Sequence, residues 1–241
     1  MPTEFVLVHG AMHGAWCWED VAARLTEKGH RVVVPELPGH GRRAAEVRHA
    51  GVEAYGRAVA DAMAQAGVSR AGLVGHSLGG LVIARAAELA RSRIARLVFL
   101  AAVVPAHGRS IAETNMTAPA RAALRAQIIG RGDGTFHHSA ETAWARWMGD
   151  LPRADPRVAR AIARLTPQAA RPFFERVDLR RFDALAIPRT YIRCLRDAAV
   201  IPSRAAATAA RLGVTPVDLD CAHDPMLSQP DELARLLTRL T

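Results

Sequence analysis

Short apolar runs recur along the chain, separated by longer stretches with helical period. Phe5-Val-Leu-Val8, Arg31-Val-Val-Val34, Ala71-Gly-Leu-Val74, Ile94 to Leu100 and Arg189 to Leu195 are rich in Val, Leu and Ile and lack alternation. That pattern predicts strands buried on both faces, with Thr215 to Leu219 as a sixth. Between them, Cys17 to Lys28, Glu53 to Ala66, Ser77 to Arg91, Ser203 to Leu212 and Pro230 to Leu240 predict helices. Gly29 and Gly67 end the first two, and Ser228-Gln-Pro-Asp231 opens the last. Strand and helix in alternation predict an α/β fold, a mostly parallel sheet of about six strands with helices on both faces.

The rhythm breaks between Pro105 and Asp183. This stretch reads as helical segments without a buried strand, interrupted by Gly130-Arg-Gly-Asp-Gly134 and Leu151-Pro-Arg-Ala-Asp-Pro156. It predicts a helical cap of about residues 105–185, inserted after the fourth strand and lying over the sheet's C-terminal edge, where open α/β folds bind ligands. With no repeat and no low-complexity linker, residues 1–241 read as a single domain.

Composition changes this picture little. The chain is 50% hydrophobic and 23% charged, ordinary for a globular domain. Its formal charge of +9 raises the question of nucleic acid. However, Lys28 is the one lysine, and the arginines are scattered without any helix-turn-helix, zinc or RNA-binding signature. Arginine with abundant alanine is what a high-GC bacterial genome writes onto a solvated surface, so no nucleic-acid partner is expected. No apolar run reaches the ~20 residues needed to span a bilayer. The N-terminus has no leader-like segment. Cys17, Cys194 and Cys221 have no metal-ligand spacing and read as reduced thiols. Together these features predict a cytoplasmic protein with no bound metal and no membrane partner; monomer and homodimer both remain open.

The chemistry concentrates in Gly75-His-Ser-Leu-Gly79, which fits G-x-S-x-G. Three fixed positions arise by chance in roughly 7% of chains this long, so the context decides. Here a buried strand precedes the motif and a long apolar helix follows, the strand–turn–helix setting that lifts a serine above a sheet edge. A serine hydroxyl needs a base, and the base an orienting group. In this kind of site the chain order is Ser, then Asp or Glu, then His. His223 follows the last predicted strand and Asp197 the one before, so Ser77, His223 and Asp197 are the candidate nucleophile, base and acid. An oxyanion hole needs two backbone N–H donors. Leu78, after the nucleophile, and Ala11, in the loop after the first strand, are placed to supply them. His9 and His13 read as buried, hydrogen-bonded loop residues, and Cys221 as a small apolar filler. In the cap, Met116, Phe136, Trp144 and Trp147 either line a substrate pocket or form the cap's own core. With Met12 and His76 they are the candidate pocket residues.

Three segments carry a family resemblance: His9-Gly-Ala-Met-His-Gly-Ala-Trp-Cys-Trp18, Gly75-His-Ser-Leu-Gly-Gly80, and His223-Asp-Pro-Met-Leu-Ser-Gln-Pro-Asp-Glu-Leu233. They resemble a branch of the α/β-hydrolases that includes plant methylesterases, methylketone synthases, hydroxynitrile lyases and bacterial esterases. The resemblance covers nearly the whole chain and is loosest in the cap. It implies an α/β-hydrolase fold and a cofactor-free serine hydrolase cleaving small or medium carboxylic esters through an acyl-enzyme. A biosynthetic thioesterase, lyase or cyclase reusing the site is the alternative, and a non-catalytic ligand receptor a more distant one. The lyases of this branch place a lysine just after the catalytic histidine, where this chain has Asp224. That favours ester hydrolysis over cyanohydrin cleavage.

Overall fold

The computed structural model describes residues 3–240. Eight strands follow in chain order: β1 (Glu4–Val8), β2 (Arg31–Val33), β3 (Ala71–His76), β4 (Ile94–Leu100), the two-residue β5 (Thr135–Phe136) and β6 (Gln168–Ala169), then β7 (Arg189–Cys194) and β8 (Val217–Leu219). The helices are α1 (Glu19–Glu27), α2 (Val52–Gln65), α3 (Gly79–Leu89), α4 (Ile111–Asn115), α5 (Ala118–Arg131), α6 (Ala140–Trp147), α7 (Pro156–Arg164), α8 (Arg171–Phe174), α9 (Arg180–Asp183), α10 (Pro202–Arg211), α11 (Pro225–Ser228) and α12 (Pro230–Leu240).

Six strands form one sheet in the order β2-β1-β3-β4-β7-β8, and every pair in it is parallel. The apolar runs lack alternation because both faces of the sheet are covered. Val6, Val8, Leu73, Leu97, Phe99 and Tyr191 join one core, with Tyr55 and Val59 of α2 and Leu81 of α3. Their chain neighbours Phe5, Leu7, Val74, Val98, Leu100 and Ile192 join the other, with Leu25 of α1 and Leu237 of α12. Successive side chains of a strand point to opposite faces, so each run feeds two cores at once.

The strand order also says where a ligand belongs. After β1 the chain moves outward to β2, and after β3 it moves the other way to β4. The crevice at the C-terminal ends of β1 and β3 is therefore the topological switch point.

Between β4 and β7 the chain makes the insertion expected from the sequence, built from α4 to α9. Four of its helices begin on side-chain caps: Ser110 and Glu113 form a reciprocal capping box on α4, and Thr117, Ser139 and Asp155 cap α5, α6 and α7. One feature differs from the expectation of helices only. Thr135–Phe136 and Gln168–Ala169 pair as an antiparallel ribbon, buried on both strands. Two residues per strand are too few to print a period on the sequence.

The surface arginines are mostly paired. Arg164 meets Glu19 at 2.6 Å and Arg193 meets Asp218 at 2.7 Å, both partly exposed. Such pairs contribute about 0–1 kcal/mol each, so they explain the tolerance of a high charge without adding much stability. Among the described residues, no helix is long and apolar enough to cross a membrane.

Candidate active site

β3 runs straight into a sharp turn at Ser77, whose φ of +52° lies in the left-handed region. A serine rarely adopts this conformation, and it persists only where the surroundings force it. The glycines supply the force. A Cβ on Gly75 would stand 2.4 Å from the Gly79 carbonyl oxygen, and one on Gly79 would stand 2.7 Å from that of Val8. Strand, turn and helix close around the serine because those side chains are missing. The Ser77 N–H donates to the Leu100 carbonyl at 3.0 Å, and Val103 N–H donates to the Ser77 carbonyl at 3.1 Å, clipping the turn to the end of β4. From Ala71 to Ala84 every residue is buried except Ser77.

Asp197 and His223 come from the loops after β7 and β8. They lie 26 residues apart in the chain, and Nδ1 of His223 stands 2.7 Å from Oδ2 of Asp197. Both side chains are buried. The other carboxylate oxygen, Oδ1, accepts from the N–H groups of Ala199 at 2.7 Å and Val200 at 2.8 Å. The acid is therefore fixed on both oxygens. Burial works against a charged imidazole at His223, but the Asp197 carboxylate and its hydrogen bond outweigh it. The His223 pKa consequently stands above the usual histidine value.

The loop after β1 is held by histidines. Leu37 N–H donates to Nε2 of His9 at 3.2 Å, so Nδ1 carries the ring proton and faces the Gly10 carbonyl at 2.9 Å. Burial, followed by the nearby His40, pushes the His9 pKa well down, in keeping with this neutral form. Met12, with φ of +62°, is pinned from the insertion. Its N–H donates to Oε1 of Gln168 at 3.2 Å, and its carbonyl accepts from Thr166 N–H at 2.9 Å. The β5–β6 ribbon thus sets the loop that presents Ala11. Among the described residues, the N–H groups of Ala11 and Leu78 have no protein acceptor.

Asp224, the residue after His223, is buried and anchors a histidine cluster. Its Oδ2 lies 3.1 Å from Nε2 of His13, whose Nδ1 faces the Ala11 carbonyl at 2.8 Å. Both His13 nitrogens thus face oxygen acceptors, which links the Ala11 loop to the residue after His223. Burial works to raise the Asp224 pKa, but His13, His76 and His223 together hold it below the usual carboxylate value.

His76, His223 and Asp224 also offer ligand atoms within 4.8 Å of one another, the one grouping among the described residues with a metal-like arrangement. Yet Nε2 of His76 faces the His223 carbonyl at 3.0 Å and Asp224 Oδ1 at 3.5 Å. A nitrogen facing two acceptors carries its proton and is no metal ligand. The cluster reads as a hydrogen-bond network.

Ser77 and His223 open onto one small cavity of about 60 Å³, shared with Ala11, Met12, His76, Phe136 and Trp147. Two expected pocket residues lie elsewhere. The indole N–H of Trp144 donates to the Leu151 carbonyl at 3.0 Å, and neither Trp144 nor Met116 lines the cavity. Instead both pack against the core on that side of the sheet, the other reading left open by the sequence. His13, Asn115, His138, Arg146, Phe173, Ala199 and Val200 line it unannounced. Ala199 and Val200 follow from their place beside Asp197. Nothing in the sequence separates Arg146 from the other arginines. A larger, open cleft of about 760 Å³ lies between Trp16, Glu36, Arg42 and Arg164, with no serine, cysteine or histidine in its lining. All three cysteines are buried and unbridged, and Cys221 lies behind His223 without lining the cavity.

A parallel six-stranded sheet, a serine elbow at its switch point and a buried His–Asp pair at the next strand ends define the α/β-hydrolase architecture. The profile of the alpha/beta hydrolase family matches residues 5–236, and the chain belongs to that family. Over 98% of both chains it is 34% identical to the carbendazim hydrolyzing esterase of Nocardioides sp. strain SG-4G. A solved extracellular alpha/beta-hydrolase from a Paenibacillus species superposes with a TM-score of 0.91, at 26% identity and 99% coverage of each chain. It is described as sharing structural and functional homology with tobacco salicylic acid binding protein 2. The putative methylesterase 11 of Arabidopsis thaliana, described as chloroplastic, is 38% identical over 44% of this chain and 28% of its own length. The chain is thus a hydrolase of the serine-esterase class.

These relatives overturn the expectation of a cytoplasmic protein, since one is extracellular and another chloroplastic. The physical reason is plain. A compartment is set by addressing segments, not by the hydrolase core. Buried thiols without a partner do not report the redox state around them.

Proposed function

We propose that Ser77, His223 and Asp197 form the catalytic triad of a hydrolase acting on small carboxylic esters, with the N–H groups of Ala11 and Leu78 as oxyanion hole. The observation that carries this is the 2.7 Å contact between His223 and Asp197 on the same cavity as a serine held at φ of +52°. His223 takes the Ser77 proton as Oγ attacks the ester carbonyl. The two N–H groups stabilise the tetrahedral oxyanion. The imidazolium returns its proton to the leaving alcohol, and water, deprotonated by the same imidazole, cleaves the acyl-enzyme. Residues of about 105–185 act as a cap that closes the acyl side with Phe136 and Trp147. Asp224 is tied to His13 and cannot itself supply a cation beside His223.

A cavity of about 60 Å³ favours short acyl chains. Across p-nitrophenyl esters from acetate to octanoate, kcat/KM is expected to peak at acetate to butyrate and fall at least about tenfold by octanoate, because the longer chains overfill the cavity at a cost of about 1–3 kcal/mol. No turnover above background on any ester would contradict the reading.

The pH profile gives a second check. The base must be neutral, and its pKa is raised, so activity rises with pH through a midpoint above 6.5. A kcat/KM profile whose acid limb falls below pH 6 would remove His223 as the base. For stability the sign is opposite. His223 contributes in full below its unfolded pKa, and that contribution is lost as pH rises through the folded value.

A further inference from the structure

Arg146 of α6 lines the cavity beside Ser77 and His223. Its Nε is buried without a hydrogen-bond partner. Among the described residues, no carboxylate lies within 4.0 Å of its guanidinium and none of its N–H groups finds an acceptor. Arg42, Arg48, Arg70, Arg109, Arg160 and Arg181 are also unpaired, but all six are exposed, whereas Arg146 is half-buried with its Nε out of contact with water. Taking a charge out of water without a partner is costly. Burial works hardest against the charged form of Arg146, and Arg204 adds to it, while Asp197 partly offsets both.

A second donor stands beside it. His138 lines the same cavity between Phe136 and Trp147, and neither ring nitrogen has a hydrogen-bond partner among the described residues. Burial, then the charges of Arg146 and His137, bring its pKa down to about 4. At neutral pH it therefore keeps one N–H to give. Phe136, Trp147, Phe173 and Val200 supply the apolar part of the wall, and Ser77, His76, Asn115 and His223 the polar part. Two unspent donors, one of them cationic, on one small chamber make a receptor for an anion.

We propose that Arg146 is a specificity residue that receives a carboxylate on the ester being cleaved, with the His138 N–H as second donor. The substrate class is then a small ester carrying a free carboxylate, such as a half-ester of a short dicarboxylic acid. The planar guanidinium fork suits a carboxylate because two parallel N–H groups meet two oxygens. The proposal rests on the esterase reading of the same site and narrows it.

The test compares monomethyl glutarate with methyl hexanoate, a neutral ester of similar length. Wild-type kcat/KM is expected to favour the half-ester about tenfold to a hundredfold, the range of a hydrogen bond to a charged group. Arg146→Met is expected to collapse that ratio to one or below, mainly through KM, and Arg146→Lys to keep part of it. A wild-type ratio at or below one would overturn the proposal. So would a ratio unchanged in Arg146→Met with both esters slowed in parallel, which would mean that Arg146 acts through Asp197 or the fold. A binding measurement separates this from the esterase reading. Glutarate titrated calorimetrically into wild-type protein should bind, and Arg146→Met should lose that binding. Arg146-dependent binding without turnover of either ester would keep the anion site and, with no turnover of the p-nitrophenyl series, would sink the esterase reading. Absent or Arg146-independent binding would sink the anion site.

Discussion

Ser77→Ala is expected to lower kcat on a p-nitrophenyl ester by about 10⁵–10⁶-fold, the scale of loss when a serine hydrolase is deprived of its nucleophile. The fold should survive. The turn is imposed by Gly75 and Gly79 and by backbone bonds to Leu100 and Val103, none of which involve the hydroxyl. Ser77 is also partly open to the cavity, so its removal strands no buried partner. Unfolding in urea should therefore shift by less than about 1 kcal/mol, or rise slightly as a strained catalytic group is lost. What remains would be the oxyanion N–H groups acting on bound ester, still faster than water alone. A loss below tenfold in a folded protein would show that another group attacks.

Asp197→Asn should come next in size, with kcat reduced about 10⁴-fold, because an amide in this place holds the wrong tautomer of the histidine. The geometry leaves the amide no good orientation. Oδ2 faces Nδ1 of His223 at 2.7 Å, and Oδ1 accepts two backbone N–H groups at 2.7 and 2.8 Å. If the amide NH₂ turns to His223, Nδ1 must become an acceptor and the proton moves to Nε2, where it blocks attack by Ser77. If it turns the other way, it confronts the donors of Ala199 and Val200. The first arrangement keeps the hydrogen bonds and loses the tautomer; the second leaves buried donors unpaired, at a cost of about 1–3 kcal/mol in stability. Steady-state kinetics with urea unfolding reads both effects. A variant with nearly full activity would mean that His223 is oriented by something other than Asp197.

How far this was legible in the sequence follows from the range over which each feature is encoded. The sheet was readable because a strand buried on both faces shows a short apolar run without alternation, as in residues 97–100, bounded by turn residues. The serine turn was readable because its glycines must lie within two residues of Ser77. The places of Asp197 and His223 followed from the strand ends, once the strands were known. The rest is carried by contacts across long stretches of chain. Gln168 holds Met12 from 156 residues away, and Asp224 meets His13 across 211. No local period records such pairs. Trp144 and Trp147 share one short helix, yet Trp147 faces the cavity while the Trp144 indole is committed to Leu151. Composition placed aromatics in the cap but could not direct them. Arg146 is the clearest case, since its meaning lies in the partner it lacks.

The central claim is that a single activated serine carries the acyl group. The most direct measurement is labelling with a fluorophosphonate, followed by peptide mass spectrometry of wild-type, Ser77→Ala and His223→Ala proteins. One adduct is expected, on Ser77, absent from Ser77→Ala and formed far more slowly in His223→Ala. An adduct on another residue, or no adduct in a preparation that still hydrolyses esters, would contradict it.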